Sequence, residues 1–192
     1  MIRMNPFFAT PIEVQIAHQC APVLARLKPA NILILKSRHT KEVFTSLKGT
    51  AAACRVLYLG AGKNLWLIYQ PDLMVSLFEN EDVLDFMKRC GYTDFRLQPL
   101  LARLQKRFTL YKQNKLEFPH EIGIFLGYPL CDVMGFIENE GQNYLYSGYW
   151  KVYGNVEEAV ELFSRYEKAK AFFVSEIQRG KRLFEISDYT FI

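Results

Sequence analysis

Two places in this sequence combine residue types that could support chemistry: a cysteine beside a proline, and a histidine beside a glutamate. Cys20 precedes Ala21 and Pro22 in a stretch with helical apolar spacing, Ile12, Ile16, Val23, Leu24 and Leu27. Pro22 removes the hydrogen bond to the carbonyl of His18, so a helix is expected to kink or restart there. A restart would leave Cys20 just outside a fresh helix amino terminus, where a thiol becomes more acidic and a better nucleophile. His120 and Glu121 follow Pro119 at an expected helix start. An imidazole there could act as base to a thiolate, with Glu121 or a backbone carbonyl orienting the ring. The catalytic candidates are therefore Cys20, His120 and Glu121, if the fold brings them together. The competing reading makes Cys20 a small buried hydrophobe at a kink and has His120 order its own turn.

A second set lies near Trp150. Tyr149, Lys151 and Tyr153 alternate along an expected strand and would share one face of it. Half-exposed aromatics beside a lysine can stack on a flat ligand or a base. They can equally be hairpin packing.

Metal and phosphate chemistry find less support. His18 and Cys20 are two apart on a helix and point to different sides. His39 sits in a polar loop. The four cysteines, 20, 54, 90 and 131, form no Cys-x-x-Cys pair, so no zinc motif is supported and reduced, mostly buried thiols are expected. Gly60-Ala-Gly-Lys-Asn64 contains a Gly-x-Gly-Lys fragment, but Leu57 occupies the place of the first glycine of a phosphate loop. It also leads into a strand pattern rather than a helix, so a hairpin turn is expected. No cofactor is named by any of this.

The elements that must position these residues can be read in order. Thr10, Pro11 and Glu13 suit a helix start. Asn31 to Leu35 is short and apolar and reads as a buried strand. A helix is expected near Thr40 to Ala53, then a hairpin near residues 55–69. Pro71 opens a short helix, Asn80 caps another that Gly91 ends, and a further helix starts near Pro99. Pro119 and Pro129 each suit a helix start, with Gly127 as the tight turn between. That helix-turn-helix-like pair spans residues 119–140. Asn155 and Glu158 suit a capping box for a long helix that Gly180 stops. Leu183 to Ile186 is expected to add an edge strand.

The segment HEIGIFLGYPLCDVMGFIENEGQN, followed by GYWKVYGN, resembles the core motif of a bacterial family of domain of unknown function 3793. Cys20-Ala21-Pro22 with Lys28-Pro29-Ala30-Asn31 behind it resembles that family's amino-terminal motif. The two matches stand in the expected order, so the resemblance covers nearly the whole chain. It implies no established activity.

Charge is asymmetric. Six basic residues and no acid lie from Arg96 to Lys115, while five acids and no Lys or Arg lie from Glu117 to Trp150. Gly123, Gly127 and Val133 fit the helix-turn-helix template, and the second helix would be the reader of the major groove. That helix carries Asp132 and Glu138 and no Lys or Arg, so sequence-specific DNA is not expected as a partner, since phosphate contacts dominate DNA affinity. A small molecule or a protein partner is the expectation.

The 192 residues are half hydrophobic and 15% aromatic, with a net charge of +4, which excludes a disordered chain and does not argue for nucleic acid. No uncharged apolar run approaches ~18 residues, so no membrane span is expected. The reading is a helix-rich α+β protein of the cytoplasm, one domain over residues 1–192, with a small sheet. A small-molecule or thiol-dependent site joining Cys20 and His120 is the leading expectation. A non-catalytic interaction or regulatory module using the helix pair and the basic helix is the alternative.

Overall fold

The computed structural model describes residues 11–186. Its centre is a three-stranded antiparallel sheet of order β1-β3-β2, with β1 at Ala30–Lys36, β2 at Ala53–Leu59 and β3 at Lys63–Tyr69. The expected hairpin is β2–β3, and Gly60-Ala61-Gly62 is its turn rather than a phosphate cradle. The register shifts between Val56 and Tyr58, a bulge that leaves Leu57 fully buried.

Alternation along β3 divides the core. Trp66 and Ile68 face α1 (Pro11–Leu24), α2 (Thr40–Leu47) and α8 (Val156–Gln178), with Ile16, Val43 and Phe173 completing that layer. Leu67 and Tyr69 face the opposite layer, built from α3 (Pro71–Ser76), α4 (Glu81–Arg89), α5 (Leu97–Lys112), α6 (Ile122–Phe125) and α7 (Leu130–Glu138). Leu100, Leu101, Leu104 and Phe108 form the buried stripe of α5, at helical spacing. Burying each such side chain contributes about 1.5–3 kcal/mol. A third cluster, Trp150, Val152, Ala159, Phe163 and Tyr166, joins the two-stranded hairpin β4 (Tyr146–Ser147) and β5 (Lys151–Val152) to α8. The fold is a helix-rich α+β arrangement, as the order of patterns predicts. Among the described residues, no helix is long and apolar enough to cross a membrane.

Capping follows the sequence closely. The Asn80 side chain accepts from Val83 N at 3.1 Å and Asn155 accepts from Glu158 N at 3.2 Å. Gly127 has φ of +74°, and a Cβ there would meet Pro29 Cδ at 2.5 Å, so only glycine fits that turn. Gly123 is required by proximity instead: a Cβ would lie 2.6 Å from Val133 Cγ2, where α6 and α7 cross.

Several expectations need correction. α1 runs through Pro22 to Leu24 without restarting. Pro22 falls in its last turn, where only the carbonyl of exposed His18 loses a partner, so little is gained by breaking the helix. Thr10, the expected cap, lies outside the described residues. α2 stops at Leu47, short of Ala53, and Gly49 follows at φ +89°. α6 is a single turn and does not begin at Pro119. Leu183–Glu185 forms a 3-10 turn, not an edge strand. The cause is a polar anchor: buried Glu13 accepts Arg182 Nε at 2.8 Å and Leu183 N at 3.2 Å, tying this segment down across α1. The strand expected to carry Tyr149, Lys151 and Tyr153 is reduced to the β4–β5 hairpin, in which β5 is Lys151–Val152.

Candidate functional site

From Pro119 to Ile124 the backbone takes successive tight turns: Ile122 N, Gly123 N and Ile124 N donate to the carbonyls of Pro119, His120 and Glu121, each at 3.0 Å. These turns send neighbouring side chains to opposite sides. Glu121 goes inward, 2% exposed, where its carboxylate accepts from Tyr92 Oη at 3.1 Å and pairs with Arg107 Nε. It anchors α5 to α6. Its oxygens are committed to Tyr92 and Arg107, and the role expected for it, orienting His120, goes unfilled.

His120 goes the other way, half-buried between two rings. Phe118 is 5.1 Å away and Phe136 5.3 Å, centroid to centroid. Neither ring nitrogen has a hydrogen-bond partner among the described residues. His120 lines a cavity of about 340 Å³ between the α6–α7 pair and the β4–β5 hairpin. Phe118, Tyr128, Phe136, Tyr149 and Trp150 supply its aromatic walls, and Ser147, Asp132 and Lys151 its polar groups. Tyr128 stacks on Trp150 at 4.8 Å, forming one flat side.

Asp132 holds the two halves of the cavity together. Projecting from the first turn of α7, it is 3% exposed. One oxygen accepts Trp150 Nε1 at 2.7 Å; the other accepts Tyr153 N at 2.7 Å and Gly154 N at 2.8 Å. A buried carboxylate is tolerable here because three donors replace its water. Lys151 donates to the Gly141 carbonyl at 2.6 Å, with its ammonium 4.7 Å from the Tyr144 ring centroid and 5.8 Å from that of Phe136.

Of the residues singled out in the sequence, His120, Tyr149 and Lys151 meet at this cavity. Tyr153 does not line it: its ring covers Gly135 and its hydroxyl donates to the Gln142 carbonyl at 2.8 Å. Tyr149 and Tyr153 share no strand face, because β5 holds only Lys151 and Val152. Cys20 is elsewhere. It is wholly buried in the α1–sheet–α8 core and absent from the cavity lining. With no helix restart and no solvent, burial pushes its thiol up to about 12, against weaker opposing pulls from Lys28 and Asn31. The acidified thiol expected from the sequence is reversed. Cys131, expected to be buried, is exposed, and Cys54 and Cys90 are partly so.

Lys28, whose type and spacing carry no signal of chemistry in the sequence, is buried close to Cys20. It is 2% exposed, bonds Asn31 Oδ1 at 2.7 Å, and lies 5.3 Å from the Tyr128 ring centroid and 6.0 Å from that of Tyr166. Burial lowers its pKa to about 8, partly countered by Cys20. Cys20, Lys28 and Asn31 thus form one cluster behind the Tyr128 wall. Asp132 was legible only as one of two acids, with Glu138, on an otherwise apolar α7. Among the described residues, no group of three or more His, Cys, Asp or Glu could hold a metal ion.

A helix-rich α+β fold with an aromatic cavity beside a helix-turn-helix-like pair therefore carries both sequence motifs, joined where Lys28 meets Tyr128 and Pro29 meets Gly127. The model of the family described as Protein of unknown function (DUF3793) matches residues 16–187, and the chain belongs to that family. No curated protein and no solved structure matches the chain.

Proposed function

We propose that this protein binds a small, flat organic molecule in the cavity between α6–α7 and the β4–β5 hairpin. The observation that carries this is the cavity of about 340 Å³, walled by five aromatic rings and edged by His120, Ser147 and Lys151. Ligand sites are typically concave and mostly apolar with a few placed polar groups, and this volume lies at their small end. His120, with free ring nitrogens, is the residue to hydrogen-bond the ligand; Tyr149 and Lys151 flank it. The reading needs no thiol, and Cys20 is given a packing role. The bacterial cytoplasm is the setting it assumes. The test is a fragment screen by ligand-observed NMR on wild type and on Ser147→Trp, an exposed position whose new ring would fill the cavity. Ring-bearing fragments should bind wild type and lose binding in the variant. Equal binding to both would remove this site from consideration.

One observation favours a second reading, a non-catalytic interaction module. Tyr144, Leu145 and Tyr146, leading into and starting β4, are 43%, 66% and 42% exposed, an apolar surface beside the cavity. A protein partner contacting that segment would be lost on Leu145→Asp without loss of fragment binding. Sequence-specific duplex DNA is not part of either reading, and a mobility shift that is sequence-selective at physiological salt would overturn that exclusion.

A further inference from the structure

We infer that the ligand of this cavity carries a carboxylate read by Lys151, an inference that rests on the proposed binding of a flat molecule there. The inventory of polar groups around the cavity leads to it. Lys151 has three N–H bonds and gives one to the Gly141 carbonyl. The side chains of Ser147 and His120 have no hydrogen-bond partner among the described residues and each can donate. The one carboxylate in the wall, Asp132, already takes three donors, from Trp150, Tyr153 and Gly154, with both oxygens engaged. Its negative charge opposes an incoming anion, but those donors and the Lys151 ammonium offset it. What remains unfilled is donor capacity, with one cationic centre, next to aromatic faces. A cationic ligand would be repelled by the Lys151 ammonium in the wall. A neutral ring would leave the other two N–H bonds of the lysine without a partner as water is excluded. A carboxylate on an aromatic body matches both features: oxygens toward Lys151 and Ser147, the ring against Phe136 and the stacked Tyr128–Trp150 pair.

The experiment holds the ring constant and changes the charge. Calorimetric titrations of wild type use 2-naphthoate, 2-naphthamide and 2-naphthylmethylamine, which present an anion, a neutral amide and a cation. The acid should bind about tenfold or more tightly than the amide, and the amine most weakly. In Lys151→Gln, which can still donate to the Gly141 carbonyl, the acid and the amide should bind within about twofold of each other. Amide or amine binding as tight as the acid overturns the inference but leaves the ring site standing. An acid preference that survives Lys151→Gln also overturns it, because another group is then the reader. Failure of all three probes to bind overturns both the inference and the proposed function beneath it.

Discussion

The indole N–H of Trp150 donates to the buried carboxylate of Asp132 at 2.7 Å, and this bond joins the hairpin to α7 across the back of the cavity. The same carboxylate caps the backbone N–H groups of Tyr153 and Gly154. One side chain therefore sets the spacing of both cavity walls.

Asp132→Ala should strand all three donors at once and destabilise the protein by about 3 kcal/mol or more. Asp132→Asn should cost less, on the order of 1–3 kcal/mol, because its amide turns an N–H toward at least one of those donors. Urea unfolding followed by circular dichroism measures both. A cost below about 1 kcal/mol for the alanine variant would mean that the carboxylate is not holding the hairpin.

Thiol reactivity should follow exposure. In the native protein near neutral pH, iodoacetamide should label Cys131 first and Cys20 last, because Cys131 is exposed while burial raises Cys20 to about 12. The rate at Cys20 should be lower than that of an ordinary exposed thiol by roughly three orders of magnitude. Peptide mass spectrometry after timed quenching resolves the four sites. Labelling of Cys20 as fast as Cys131 would restore the thiol-dependent reading.

Lys28 and Cys20 should shape stability at alkaline pH in opposite directions. Lys28 has a folded pKa of about 8 against 10.5, so between those values the unfolded chain holds more protons and stability rises with pH. Cys20 has about 12 against 9.0, so from pH 9 upward the unfolded chain holds fewer protons and stability falls. Each effect is worth at most about 3–4 kcal/mol. Unfolding free energies from pH 7 to 11, compared pairwise, separate them. The stability of wild type minus that of Lys28→Met should climb above pH 8, and that of wild type minus Cys20→Ala should decline above pH 9. Two flat differences would mean that neither group is buried as described.

The sequence was most readable where a local rule has one outcome. Asn80 and Asn155 cap their helices because a side-chain oxygen can reach the third amide within its own turn. Gly127 was legible because two prolines bracket it and a left-handed residue is needed between them. Three of the cavity's residues, His120, Tyr149 and Lys151, were visible because their types stand out in an aromatic stretch. What escaped was set by contacts distant in sequence. The 3-10 turn at Leu183 depends on Glu13, which is 170 residues away. Cys20 looked activated because Pro22 predicts a restart; whether a late proline breaks a helix depends on the packing of the whole turn against β1 and α8. Lys28 entered only as part of the amino-terminal motif, and only the fold brings Tyr128 and Tyr166 over its ammonium.

The central claim is that the cavity beside Trp150 takes a ligand, and the two tryptophans make it testable in one spectrum. Trp150 lines the cavity, whereas Trp66 is fully buried in the separate core cluster of α1, α2 and the sheet and is absent from the lining. In a ¹⁵N–¹H correlation spectrum their indole resonances are separate reporters, assigned with Trp66→Phe. Titration with 2-naphthoate should move the Trp150 indole peak saturably while the Trp66 peak stays in place. Unmoved peaks at saturating probe, or equal shifts of both, would contradict the account.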